Sequence, residues 1–282
     1  MSAGPVDGVH DRCEFVVRPD GTVVGDDGAA GALAAALPYT GRLARRAGEL
    51  VEVGDLRAIV ALGTRRLTVG VTWTPAGEGT YRAVLVPAEL RTLPRFMVVG
   101  GADTAATVAH CVGRVAAVEG VHWAGIVTAG SRVLATAGGG AATSHLAEVG
   151  NRMLAILRSL EDQRVAGFVR LRFEEASVVG ASIGRHVLVA CTGGTDDDDL
   201  LAAIDEVRAI LADRDLSTVP AREAPAAHPL AVDGEPDVVV AAAPAPPPLI
   251  GARFAGAGAR EPRTGRRRFG RASATPSRGE TR

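Results

Sequence analysis

The order of predicted elements between residues 104 and 212 constrains the fold more than any other feature of this chain. Apolar residues recur there at helical spacing, then alternate along two strands, and the same two patterns return before a last helical stripe. An order of helix, hairpin, helix, three strands and helix predicts a compact α+β domain of αββαβββα type with a five-stranded antiparallel sheet. Such a domain leaves no room for a nucleotide-binding loop or a catalytic cluster.

Three apolar stripes define the predicted helices of this segment. The first should begin with an N-cap at Thr104 and stop at Gly120. The second follows a cap at Thr143 or Ser144, and the third follows four aspartates at 196–199, where the helix dipole favours negative charge. The stripes consist of Val108, Cys111, Val112, Val115 and Val118, of Leu146, Met153, Leu157 and Leu160, and of Leu200, Ile204, Val207 and Leu211.

The predicted strands show a period of two. Residues 123–128 and 132–136 flank a short turn and form a hairpin, whereas residues 176–183 and 186–191 form a later pair. In the strand between this hairpin and the later pair, Val169, Leu171 and Phe173 form an apolar face and alternate with Arg170 and Arg172. The simplest interpretation of the two arginines is a solvated strand face, although they could also clamp an acidic partner.

The residues VAAVEGVHWAGIVT at 115–128, followed by RVLA at 132–135, resemble the opening of a roadblock domain. This is the family of dynein light chains and small-GTPase regulators, and the resemblance covers residues 104–213. It implies a non-enzymatic scaffold that pairs through its sheet and binds a Ras-like small GTPase, modulating its activity or placement. By analogy, the partner face lies on the second helix, at His145, Glu148, Asn151 and Arg152.

Residues 13–90 repeat the same plan imperfectly and are interpreted as a degenerate, related α+β domain. A hairpin at 13–24 precedes a helical stretch at 29–49 and strands at 56–62 and 67–73, and Leu62-Gly63 echoes Ile183-Gly184. Pro38 should kink or split the helix. Residues 81–86 are interpreted as an extra strand in place of a closing helix. The duplication allows two arrangements, an intrachain pseudo-dimer of the two halves or a homodimer.

The C-terminal part differs in composition from the rest. Half of the 16 prolines fall within a Pro/Ala-rich stretch at 214–250, which predicts an extended linker. Residues 251–282 contain nine arginines and two glutamates, which predicts a basic disordered tail. Its densest cluster could bind an anionic membrane surface or nucleic acid, and it consists of Arg266, Arg267, Arg268 and Arg271.

Several classes of function find no support in the sequence. The chain contains no lysine, which excludes a phosphate-loop nucleotidase and any Schiff-base enzyme. The three cysteines and six histidines lack metal or catalytic spacing, so we expect no enzyme activity, no metal and no cofactor, and we expect the histidines at surface or edge positions. Free cysteines and the lack of a signal peptide indicate a cytoplasmic protein. A small-molecule sensor is an alternative, and it predicts a cavity under Trp123.

Overall fold

A computed structural model describes residues 12–25, 30–89, 103–139, 142–161, 167–195 and 197–221. Among these residues, the N-terminal half contains one α-helix and five strands, and the C-terminal half contains three α-helices and five strands. In chain order the elements are β1 (Cys13–Val17), β2 (Val23–Val24), α1 (Gly31–Val51), β3 (Leu56–Leu62), β4 (Arg65–Trp73), β5 (Gly79–Pro87), α2 (Thr104–Ala116), β6 (Val121–Val127), β7 (Val133–Gly138), α3 (Thr143–Glu161), β8 (Phe168–Phe173), β9 (Ser177–Ile183), β10 (His186–Thr192) and α4 (Asp197–Leu211). The predicted α+β class and the αββαβββα order of the C-terminal half are confirmed.

All ten strands form one antiparallel sheet in the order β2-β1-β5-β4-β3-β8-β9-β10-β6-β7. From its outer edge inward, the N-terminal half has the order β2, β1, β5, β4 and β3, and the C-terminal half has the order β7, β6, β10, β9 and β8. In both halves the two hairpin strands come first, and the third, second and first strands after the helix follow. The two halves are therefore related by an approximate twofold axis between β3 and β8. The identical order in both halves supports an internal duplication.

The seam between the halves is the antiparallel pairing of β3 with β8, in which Ile59 lies opposite Leu171 and Val60 lies opposite Arg170. Ile59 and Leu171 are fully buried, and each contributes about 1.5–3 kcal/mol relative to an exposed side chain. Of the two arrangements that the sequence left open, the structure contains the intrachain one.

Helices cover the two faces of the sheet unequally. One core cluster joins α1 and α3 to the side of the sheet that carries Phe15, Leu67 and Leu171. A second cluster joins α2 and α4 to the opposite side of the C-terminal half, where Ile126 and Leu188 are buried. On that opposite side of the N-terminal half, the described residues contribute no helix. The N-terminal copy therefore lacks counterparts of α2 and α4 within the described part of the chain.

Two predictions for the N-terminal half need correction. Pro38 does not split the helix, because α1 is one helix from Gly31 to Val51 with Pro38 inside it. Leu37 and Ala44, on either side of the proline, are fully buried in the core, and this packing outweighs the missing backbone hydrogen bond. Residues 81–86 do form a strand, as predicted, and they lie within β5. This strand is not an addition to the plan, because β5 holds the position in its half that β10 holds in the other.

The helix boundaries of the C-terminal half differ slightly from the predictions. The N-cap of α2 is Asp103 rather than Thr104, and the helix ends at Ala116, so Val118 lies beyond it. Gly120 does adopt a left-handed conformation, with φ of 77°, in the turn that leads into β6. After α4, a short 3-10 helix at Leu216–Thr218 packs Leu216 against the core, inside the segment predicted as a linker. Residues 222–282, which include the basic tail, lie outside the described residues.

Candidate functional site

The helices α1 and α3 lie side by side on one face of the sheet. Thr40 Oγ1 lies 3.1 Å from Ser159 Oγ, whereas Arg46, later in α1, acts electrostatically on Glu148, which comes early in α3. The two helices therefore run antiparallel. The sides of α1 and α3 that point away from the sheet form a surface that we call the α1–α3 face, and its charged residues include Arg42, Arg46, Glu49, His145, Glu148 and Arg152.

Three of the four predicted partner residues lie together on this face. His145 is exposed, and the Arg152 guanidinium donates a hydrogen bond to the Glu148 carboxylate one turn earlier. This hydrogen bond lowers the pKa of Glu148, and the positive charges of Arg152, Arg46 and His145 lower it further. Glu148 is therefore an anionic group held between positive neighbours from both helices.

Asn151, the fourth predicted residue, is directed elsewhere. Its side-chain amide donates a hydrogen bond of 2.6 Å to the hydroxyl of Ser131, in the turn between β6 and β7. Ser131 has a left-handed backbone with φ of 63°. The amide of Asn151 is thus engaged by this turn, and the structure separates it from the cluster of His145, Glu148 and Arg152.

The residues that α1 contributes to the face were missed by the sequence analysis. Arg46 donates a 2.8 Å hydrogen bond to Glu49, and Arg42, one turn earlier in α1, is exposed. Tyr39, earlier in α1, is an exposed aromatic residue with 48% of its surface accessible. The signal that could have found them is the duplication itself, because α1 is the counterpart of α3.

The interpretation of Arg170 as part of a solvated strand face is wrong. Arg170 is 5% exposed, and its guanidinium forms an ion pair of 2.5 Å with Asp197 at the start of α4. Arg172 is exposed and lies 3.6 Å from the other carboxylate oxygen. One aspartate of the acidic run therefore has a specific partner in addition to its favourable interaction with the helix dipole.

The remaining candidates separate into buried and exposed groups. Trp123 is buried in the core that it shares with α3. His110, His122 and His145 are exposed as expected, but His186 is 7% exposed, which contradicts its predicted surface position. The predicted anion-binding arginines Arg266, Arg267, Arg268 and Arg271 lie outside the described residues.

Within the described ranges, no group of three or more His, Cys, Asp or Glu side chains is placed to hold a metal ion. None of the helices in the same ranges combines the length and apolar character needed to cross a membrane.

The chain was compared with known proteins in three ways. No protein-family model matches it, and no curated protein matches it either. Among solved structures, it is similar to MglB of Myxococcus xanthus, with a TM-score of 0.36 and 16% sequence identity over 40% of this chain and 91% of that chain.

Proposed function

We propose that this chain is a non-enzymatic scaffold that binds a Ras-like small GTPase on the α1–α3 face and modulates its activity or placement. The observation that carries the proposal is the antiparallel pair of α1 and α3 on a continuous ten-stranded sheet. The roadblock resemblance of residues 104–213 implies sheet pairing of this kind and a helical surface for the partner. A sheet held together within one chain gives that surface a rigid support.

The charges of the α1–α3 face support a protein partner. Three arginines and a histidine are combined with two glutamates, and the ion pairs Arg46–Glu49 and Glu148–Arg152 lie within single helices. Exposed pairs of this kind contribute little to stability, because water and salt screen them. Their charges remain available for complementary groups on a partner, where they would set orientation and association rate.

The test uses the purified full chain and a panel of Ras-like GTPases from the same organism, each loaded with GDP or with a GTP analogue. Binding is measured by calorimetry for the wild type, for Arg46→Glu and for a control, Arg82→Glu. Arg82 is equally suited to charge reversal, since it is exposed on β5 and points away from the α1 side, where its neighbours Tyr81 and Ala83 are buried.

We expect one GTPase to bind, with Arg46→Glu weakening the affinity at least about tenfold, or about 1.4 kcal/mol, and Arg82→Glu leaving it within about twofold. A panel in which no GTPase binds in either nucleotide state would contradict the function. Equal affinities for Arg46→Glu and Arg82→Glu would contradict the placement of the partner on the α1–α3 face.

A further inference from the structure

The side of the N-terminal half of the sheet that faces away from α1 carries no helix among the described residues. Side chains along β4 and β5 alternate in burial, and those directed away from α1 are exposed or half-buried. We call this surface the open face, and its residues on the two strands include Arg66, Thr68, Gly70, Arg82, Val84 and Val86. In the C-terminal half, α2 and α4 cover the same side of the sheet.

The centre of the open face is accessible at Gly70. This residue is exposed on β4 and lies opposite Arg82 of β5, and a Cβ built on it would meet none of the described atoms within 4 Å. Beside it, Val84 and Val86 are only half-buried, so part of their apolar surface is still in contact with water. Covering that surface would release further hydrophobic free energy. The open face therefore has both the room and the apolar area for another element to pack on it.

Two positive charges on the open face are unmatched. Arg66 and Arg82 are exposed, and within the described part of the chain neither side chain takes part in a hydrogen bond or an ion pair. Arg82 lies opposite Gly70, four residues along β4 from Arg66, so the two arginines are roughly 13 Å apart along the strands. Glu14, on the neighbouring β1, is already paired with Arg12. The open face thus offers two separate guanidinium groups to carboxylates on a partner.

Acidic groups border the open face on the side of α4. A cavity of about 580 Å³ lies there, since Arg66 and Pro87 line it together with Leu201 of α4. Its other charged lining residues are Glu89, Asp197, Asp198, Asp205 and Arg208. The pairs Asp197–Arg170 and Asp205–Arg208 balance part of this charge. An acidic partner would therefore direct its carboxylates toward β4 and β5 and away from the start of α4, which fixes its orientation.

We propose that the open face binds an amphipathic helix of a partner protein, with acidic residues on one flank that pair with Arg66 and Arg82 and aliphatic residues that pack on Val84 and Val86. The internal duplication favours a helix, because α2 and α4 cover the same side of the other half. Carboxylates suit the two arginines because guanidinium groups donate paired hydrogen bonds to them. The open face lies on the opposite side of the sheet from the α1–α3 face, so this partner is additional to the GTPase of the proposed function.

The side chains of the open face favour a helix over nucleic acid. Proteins that bind single strands stack the bases on aromatic rings. The aromatic residues of β4 and β5 are Trp73 and Tyr81, and both are on the side of α1, where the two rings meet edge to face and Arg45 of α1 lies over Trp73. The open face of these strands instead presents valine, threonine and glycine between its two arginines.

The test measures binding of two synthetic helical peptides to the full chain by fluorescence anisotropy. Each peptide has about 20 residues and spans about 30 Å, which matches the nine residues of β4 and of β5 at about 3.3 Å each. Both carry leucines along one face, and the adjacent flank carries glutamates two turns apart in one peptide and lysines in the other.

Three variants are compared with the wild type. Arg66→Glu combined with Arg82→Glu reverses the charge of the open face. Arg158→Glu combined with Arg185→Glu is the matched control, because it makes the same change at two exposed arginines of the C-terminal half. Gly70→Gln places a neutral side chain in the middle of the open face, at a strand position with space for it and without a positive φ.

We expect the wild type and the control to bind the glutamate peptide at least about tenfold more tightly than the lysine peptide. The variant with Arg66→Glu and Arg82→Glu should prefer the lysine peptide. Gly70→Gln should bind the glutamate peptide at least about tenfold more weakly than the wild type, while its midpoint of urea unfolding should not fall.

Four results would overturn the proposal. If neither peptide binds the wild type, another part of this chain or a second copy covers the open face, and sedimentation distinguishes the two. Equal changes of preference in both double variants would show that net charge alone explains the binding, and unchanged binding by Gly70→Gln would place the peptide elsewhere. Tighter binding of a single-stranded oligonucleotide, lost with Arg66→Glu and Arg82→Glu, would assign the face to nucleic acid. No GTPase enters these measurements, so their failure leaves the proposed function untouched.

Discussion

Replacing Gly48 with alanine tests how closely the two halves of the chain approach each other. A Cβ atom at Gly48 would lie 2.3 Å from Cε1 and 2.7 Å from Cδ1 of Phe173, so α1 meets β8 across the seam at this glycine. Phe173 is buried at 6% exposure, and its ring has little room to move. Alanine should therefore overpack the contact between the two halves.

Gly113→Ala is a matched control. Gly48 and Gly113 each lie three residues before the last residue of their helices, α1 and α2, but a Cβ at Gly113 would meet no atom within 4 Å. In a helix, alanine is favoured over glycine by about 1 kcal/mol, whereas overpacking a core costs about 1–3 kcal/mol. Gly113→Ala should then stabilise the protein by about 1 kcal/mol, and Gly48→Ala should destabilise it by up to about 2 kcal/mol.

Thermal and urea unfolding of the two variants measure the difference, at about 2–4 °C of Tm for each kcal/mol. Adding Phe173→Leu to Gly48→Ala should recover part of the loss, which a double-mutant cycle detects as a coupling energy. If Gly48→Ala stabilises the protein as much as Gly113→Ala does, the close approach of α1 and β8 is wrong.

Three further predictions concern buried charge and assembly. Burial lowers the pKa of His186 in the folded protein below its usual 6.5, so the stability that neutral His186 supports is fully present above pH 6.5 and is lost as the pH falls from 6.5 through the lower folded pKa. Unfolding measured from pH 5 to 8 should show a smaller fall in stability for His186→Gln than for the wild type, and an unchanged fall would contradict this origin. Asp197→Asn should lower the free energy of unfolding by about 1–3 kcal/mol, because it weakens the ion pair with buried Arg170. Asp199→Asn, in the same helical turn, should lower it by less than about 1 kcal/mol in urea unfolding. Equal losses would assign both effects to the helix dipole. In sedimentation experiments the full chain should remain a monomer as its concentration rises, because β3 and β8 already pair within one chain. A dimer would show that another surface also self-associates.

The sequence predicted the C-terminal half well because its elements depend on local patterns. The helical stripes that end in Leu160 and Leu211 and the alternation of Val169 and Leu171 are all buried as expected. What local patterns could not predict is the pairing of β3 with β8, which joins residues more than 100 positions apart. That pairing also defines the α1–α3 face, so half of the candidate site was missed.

The errors in predicting individual residues have the same physical origin. Alternation placed Arg170 on a polar face, but α4 covers that face and supplies Asp197 as a partner. His186 follows a turn, where exposure is the usual outcome, yet it is buried at the start of β10, a strand that lies between β9 and β6 in the sheet. Pro38 would end an isolated helix, whereas α1 is held by its core contacts along its whole length.

The seam between β3 and β8 has a consequence for how this protein can change over evolutionary time. In a homodimer, every substitution appears twice and each docking surface has an equivalent copy. Here the two related halves are encoded separately, so one can lose helices or gain a cavity while the other keeps its form. Within the part of the chain that the structure describes, the uncovered sheet face of the N-terminal half and the buried His186 beside a turn are asymmetries of this kind, and dilution cannot separate the halves that carry them.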